Sequence, residues 1–104
     1  MVRFILASIA VSFVATSAAG ATDETVRGRK LAEAQCAPCH SIVPGPGRSP
    51  REDAASFEDI ANTPGMTALA ISVWLTTPHR EMPHIILDTE QRDAVIAYIV
   101  SLKR

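Results

Sequence analysis

The sequence predicts a small all-α domain of about four short helices. Three observations point there. No run alternates apolar and polar residues as a half-buried strand would, and no internal repeat or low-complexity segment is present. Four stretches have helix-forming composition or helical apolar spacing. Clusters of proline and glycine separate them, which is where helices stop and turns form. The chain has 104 residues, enough for one domain and no more.

The N-terminus is read apart from that domain. Met1-Val2-Arg3 is followed by apolar Phe4 to Ala15 and by the small residues Ala19-Gly20-Ala21. That order of charged, apolar and small residues is the order of a secretory signal peptide. The apolar segment is short beside the roughly 20 residues a membrane span needs, which counts against an uncleaved anchor. Cleavage after Ala21 fits the A-x-A rule, and cleavage after Ala19 is the alternative. The expected organisation is a signal peptide over 1–21 and one domain over 22–104, secreted, with no stable membrane insertion after cleavage.

Residues 1–21 carry Arg3 as their only charge, so the remainder has 9 basic and 11 acidic side chains, about −2 in all. It shows no basic patch or charge run, which excludes nucleic acid as an expected partner.

After a polar lead, Asp23-Glu24-Thr25, the segment from Val26 to Gln35 is rich in good helix formers. Acidic residues near its start suit the helix dipole. Gly28 is out of place there, since glycine inside a helix costs about 1 kcal/mol relative to alanine. Close approach of another backbone would explain it; a glycine tolerated in an exposed first turn is the alternative. Pro38 ends the helix.

The next stretch, Cys36-Ala37-Pro38-Cys39-His40, is the most specific in the chain. Two thiols three positions apart, followed at once by an imidazole, are what covalent haem attachment requires. Each cysteine can add across one porphyrin vinyl group to form a thioether, and His40 then offers a neutral imidazole nitrogen to the iron. A redox dithiol of the thioredoxin type would need a preceding strand, and no strand-like run precedes Cys36. A closed zinc site would need four ligands, and no second Cys or His pair stands at finger spacing. A disulfide between Cys36 and Cys39 would close a very small loop and stabilise little, although one can form transiently before attachment. One covalent haem c with its iron is therefore the expected cofactor. A domain this short buries limited apolar surface, so the haem-free chain is expected to fold poorly.

Residues 41–50 contain three prolines and two glycines and must be loop. That loop either moves or lines the proximal edge of the haem. A short helix is expected near Ser56 to Asn62, stopped by Thr63-Pro64-Gly65. Another is expected from about Thr67 to Thr76, closed by Pro78. Its Trp74 reads as core packing, with an indole N–H that can reach a haem propionate when buried. Asp88 caps the last helix with Gln91 in capping-box position, and Val95, Tyr98, Ile99 and Leu102 share one stripe of it.

A six-coordinate haem needs a ligand opposite His40, and a methionine thioether suits an electron carrier because a Met/His pair raises the reduction potential. With Met1 gone, Met66 and Met82 remain. Met82 is favoured, because it lies far from His40 in sequence, beside Pro83, which stiffens the loop that presents it. Met66 stands at a helix start, where a core side chain is the ordinary outcome. His79 and His84 are the alternative ligands, although isolated loop histidines are commonly just exposed.

With these residues in view, the chain resembles the class I c-type cytochromes, the small bacterial monohaem kind. The resemblance covers essentially all of 22–104. It rests on Gly28 eight residues before Cys36, on Cys36-Ala37-Pro38-Cys39-His40, on residues 74–83 and on residues 94–99. It implies a cytochrome c-like fold whose first and last helices cross near Gly28 and Tyr98, with haem among the helices. His40 would be the proximal iron ligand and Met82 the distal one. Together with the signal peptide, the resemblance implies a location in the bacterial periplasm, with redox proteins, membrane or periplasmic oxidoreductases, as electron donor and acceptor.

Two departures stand out. Ala32 occupies a position where the family often has an aromatic residue at the crossing, so a looser crossing is expected. The family also commonly supplies a proline carbonyl that accepts the proximal imidazole N–H. Pro44, Pro46 and Pro50 are candidates, residues 54–57 stand where related sequences often have a proline pair, and the sequence does not choose.

The leading functional reading is a diffusible single-electron carrier and not an enzyme, since no further catalytic cluster accompanies His40 and Met82. The same residues also fit a cytochrome subunit of a larger oxidoreductase. A haem enzyme or small-ligand sensor would need an open distal site and a distal polar group, for which His79 or His84 would have to serve.

Overall fold

The computed structural model describes residues 10–13, 22–77, 82 and 85–104. Most of the expected leader therefore lies outside the described residues, as do His79 and His84. Among the described residues the regular structure is four helices and no strand: α1 (Asp23–Gln35), α2 (Phe57–Asn62), α3 (Ala68–Thr76) and α4 (Thr89–Ser101). The all-α expectation holds, with the expected number of helices. No helix among the described residues is long and apolar enough to cross a membrane.

Each helix begins on a residue whose side chain can replace a missing backbone partner. Ser56 accepts the Asp59 N–H and Thr67 accepts the Ala70 N–H, each at 3.1 Å. At α4 the capping box forms in both directions. The Asp88 carboxylate accepts the Gln91 N–H at 2.8 Å, and the Gln91 amide oxygen accepts the Asp88 N–H at 3.1 Å. α1 starts three residues before the expected Val26. Thr22 caps it by accepting the Thr25 N–H at 3.1 Å, so Asp23 and Glu24 belong to its first turn, where the dipole favours them. They are not a lead.

α1 ends at Gln35, one residue before the cysteine motif, and the Cys36 N–H closes onto the Ala32 carbonyl at 2.9 Å. Pro38 lies in the following turn, where its missing N–H prevents the ladder from continuing. Between α2 and α3 the chain reverses through Thr63-Pro64-Gly65-Met66, closed by a 3.0 Å bond from the Met66 N–H to the Thr63 carbonyl. Gly65 takes φ 78° there, a conformation that suits glycine in the third position of such a turn.

α1 packs across α4, and α2 and α3 pack on α4 from their own sides. The crossing is as close as Gly28 permits. A Cβ on Gly28 would lie 1.8 Å from the Ala94 carbonyl oxygen and 3.0 Å from the Tyr98 Cβ. Of the two readings of this glycine, close backbone approach is the one realised. Ala32 is fully buried at the same interface, so a small residue fills this crossing without leaving it open to solvent. The core is completed by Ile42, Phe57, Ala61, Ile71, Val95, Ile96, Tyr98 and Ile99, with Met66, Leu75 and Leu102 packed against it.

Candidate functional site

The helices and the loop after Cys36 enclose a cavity of about 580 Å³. Cys36, Cys39 and His40 line one part of it, and Arg51, Asp53, Ala54 and Ala55 contribute from the following loop. Phe57 and Ile60 of α2, Ile71, Trp74 and Leu75 of α3, and Ile99 of α4 supply apolar wall. Met66 and Met82 both reach it. Four residues selected from the sequence, Cys36, Cys39, His40 and Met82, thus share one cavity, although Met82 is far from the other three along the chain.

His40 is held by its neighbours. Its Nδ1 lies 2.6 Å from the Ala55 carbonyl oxygen, which can only accept. The ring therefore carries its proton on Nδ1 and keeps the Nε2 lone pair for a metal, the arrangement that orients an imidazole ligand and raises its basicity. None of the prolines considered from sequence is the acceptor in this bond. The Phe57 ring packs against His40, centroids 5.6 Å apart and tilted by 47°, and Tyr98 packs on Phe57 in turn.

The backbone around His40 is equally constrained. The His40 N–H bonds the Cys36 carbonyl at 2.8 Å, and the Arg51 N–H bonds the Cys39 carbonyl at 3.2 Å. The Ser41 N–H donates to Ser49 Oγ at 3.0 Å, and the Ser41 carbonyl accepts the Phe57 N–H at 2.8 Å. From α4, the Tyr98 hydroxyl donates to the Ile42 carbonyl at 2.5 Å. None of residues 41–50 is among those that line the cavity, so the expectation that this loop lines it is not met; the residues that follow, Arg51, Asp53, Ala54 and Ala55, line it instead. The Ala55 carbonyl lies in 54–57, the stretch that the resemblance places where related sequences often have a proline pair, while Ser49 and Phe57 were given no role at the site. Ser49 acts through a small hydroxyl that carries no motif. Phe57 was noted only for its place in the chain.

Cys36 is buried and is the C-cap of α1, at the negative end of that helix's dipole. Desolvation, reinforced by Cys39, pushes its thiol up to about 11. A redox dithiol needs the opposite shift, which a helix N-terminus or a neighbouring cation provides. Burial of this kind suits a sulfur that ends as an uncharged thioether. Among the described residues, no three His, Cys, Asp or Glu side chains cluster as a metal site.

Trp74 departs from its expected role as core packing. It is 55% exposed at the cavity wall, because α3 turns Ile71 inward and leaves Trp74 at the rim. Met66 is half-buried, packs against the core and lines the cavity. Met82 is half-buried in its loop.

The residues fit the group their sequence implies. The cavity volume lies within the range of about 300–1,000 Å³ usual for cofactor sites, its walls are mostly apolar, and an imidazole whose Nδ1 is held by a backbone carbonyl stands among them. Fold and cavity together define a small helical haem protein. The family model for Cytochrome c matches residues 25–103, and the chain belongs to the cytochrome c family. That family binds covalent c-type haem with iron and uses it in electron transfer. No curated protein and no solved structure matches the chain.

Proposed function

We propose that this protein is a periplasmic single-electron carrier, not an enzyme, in which Cys36 and Cys39 hold the haem as thioethers and His40 and Met82 are the axial iron ligands. The observation that carries the reading is the 2.6 Å contact between His40 Nδ1 and the Ala55 carbonyl, in a cavity that Cys36, Cys39 and Met82 also line. Bound there, haem supplies a one-electron ferric/ferrous couple. Ala55 keeps the imidazole in the Nε2-ligating tautomer in both states, and the apolar walls limit the water that would otherwise reorganise around a change of charge. Met82 contributes a soft neutral sulfur, which raises the reduction potential. Met66 is engaged with the core, which supports Met82 as the ligand.

The leader read over 1–21 supports export to the periplasm, and its removal after Ala21 would leave 22–104 as the mature domain. Donor and acceptor would be redox proteins of the membrane or periplasm.

The test is the ferric spectrum of protein matured with haem. The weak near-infrared band of sulfur-ligated iron should be present, should vanish in Met82→Ala and should survive in Met66→Ala. Ferrous Met82→Ala should bind carbon monoxide quickly, while the wild type should not. Loss of the band in Met66→Ala alone would transfer the ligand to Met66. A wild type that lacks the band and binds carbon monoxide quickly would turn the reading to an enzyme or sensor.

A further inference from the structure

The electron carrier has to meet its partners somewhere, and charge is distributed unevenly around the cavity. Residues 34–47 and 60–77 contain no Asp, Glu, Lys or Arg, in a chain where 20% of residues are charged. Both stretches contribute to the cavity wall, through the cysteine motif and through α3 with the turn before it. The two charged side chains that line the cavity among the described residues, Arg51 and Asp53, are joined at 2.8 Å and offset each other. Charge is concentrated instead on α1, where Arg29 pairs with Glu33, and between α1 and α4, where Arg27 approaches Glu90.

α3 is apolar on more than its buried side. Ile71 is buried and Leu75 packs against the core, while Leu69 is 76% exposed, Val73 54% and Trp74 55%. Leu69 and Val73 stand four residues apart, on one face of the helix. Trp74 joins that face to the cavity, since it both lines the cavity and meets solvent. Lys103 marks the edge of the region, with its ammonium nitrogen 3.0 Å from the Met66 carbonyl oxygen. An exposed apolar face of this kind, whose described polar neighbours in 67–77 are threonines and a serine, is a mark of an interaction site.

We propose that the outer face of α3, centred on Leu69, Val73 and Trp74, is where a redox protein docks, and that this partner presents an uncharged apolar surface around its own redox centre. The proposal rests on the electron-carrier reading above. The chemistry of the partner follows from complementarity. A charged partner face would lose hydration against Leu69 and Val73 with no opposite charge to meet it. An uncharged one loses only apolar hydration. A membrane surface rich in anionic lipid is disfavoured for the same reason, since among the described residues the one cation near the face is Lys103 at its edge. Docking through it should be weak, transient and insensitive to salt, unlike steered encounters between charged faces.

The holoprotein can serve as its own probe, because its α3 face has the chemistry asked of the partner. The measurement is electron self-exchange between ferrous and ferric holoprotein, read from NMR line broadening at low and high salt. Two variants are compared, Val73→Lys on the proposed face and Val26→Lys on exposed α1. Both change the net charge by the same amount, so only the position of the lysine differs. In Val73→Lys two like charges are brought together in the encounter, and self-exchange should slow by about tenfold or more at low salt. In Val26→Lys it should stay within about twofold of wild type, as an exposed charge far from the contact is screened.

Equal rates in the two variants would overturn the proposal, as would a greater slowing in Val26→Lys. A stable dimer in sedimentation, lost in Val73→Lys, would reassign the face to contact between copies. Binding of haem-loaded wild type to vesicles of anionic lipid, lost in Val73→Lys, would also overturn it. The near-infrared band of each variant is recorded alongside. Its absence in wild type would refute the ligand assignment and not the docking face. Its retention with equal rates would refute the docking face alone.

Discussion

Gly28→Ala tests the helix crossing most directly. The added Cβ would sit 1.8 Å from the Ala94 carbonyl oxygen and 2.5 Å from its carbon. Carbon rarely approaches a carbonyl oxygen across helices closer than about 3.3 Å, so α1 and α4 would have to part by roughly 1.5 Å. Both obstructing atoms are backbone and cannot swing aside. A gap of 0.5–1 Å already forfeits about a quarter to a half of the dispersion between facing atoms, and here Ala32, Val95 and Tyr98 are buried in the same core. Overpacking of this kind costs about 1–3 kcal/mol or more, while alanine returns about 1 kcal/mol of helix propensity. We expect a net loss of about 3 kcal/mol, because the shift extends along two helices. For a domain of this size that is a fall in Tm of roughly 12–24 °C.

The assay is thermal unfolding of haem-loaded protein followed by circular dichroism, with Gly47→Ala as control. There the nearest contact of an added Cβ would be Ser41 Oγ at 3.4 Å, an ordinary distance, and Tm should move by no more than a few degrees. A Gly28→Ala protein that melts within about 3 °C of wild type would refute the close-contact reasoning.

Other expectations can be checked on the same preparation. Tyr98→Phe leaves the buried Ile42 carbonyl without its partner and should cost about 1–3 kcal/mol in denaturant unfolding. Burial raises the Tyr98 phenol above its ordinary value of 10.0, with smaller opposing effects from Arg29, which lowers it, and Glu33, which raises it. The folded protein therefore keeps a proton that the unfolded chain releases. This contribution is fully present below about pH 10 and is lost as pH rises through the raised value. Stability measured from pH 8 to 11 should fall less steeply in Tyr98→Phe than in wild type. Asp88→Ala removes one side of the capping box and should cost about 0.5–2 kcal/mol, with the near-infrared band retained.

How much of this was legible in the sequence depends on where the information resides. The capping box of α4 is written in two side chains three positions apart, and it forms as read. Gly28 signalled a close approach because glycine is costly in a helix interior, although a tolerated glycine near the helix start was the alternative until the structure set it against Ala94. The acceptor for His40 was hidden for the opposite reason. Every residue has a carbonyl, and only the path of the chain brings that of Ala55 to Nδ1. The sequence could place the stretch 54–57 where related sequences often have a proline pair but could not choose among carbonyls, since the bond needs the position of an oxygen and not a particular side chain. The start of α1 was misplaced because Thr22 caps through a hydroxyl in a polar stretch that reads equally well as coil. Trp74 was expected inside on hydrophobicity alone, but α3 is apolar nearly all round and its composition does not say which face is buried.

The bond from Tyr98 to Ile42 spans 56 residues, and the contact of Gly28 with Ala94 reaches further still. Such long-range closures form late, after the entropy of the intervening chain has been surrendered. During synthesis Cys36, Cys39 and His40 emerge well before α4, and until α4 arrives nothing pins Ile42 or completes the crossing. The completed crossing leaves Cys36 buried, while Cys39 stays half-exposed at the cavity wall. The motif at 36–40 is thus complete long before the helix that closes over it.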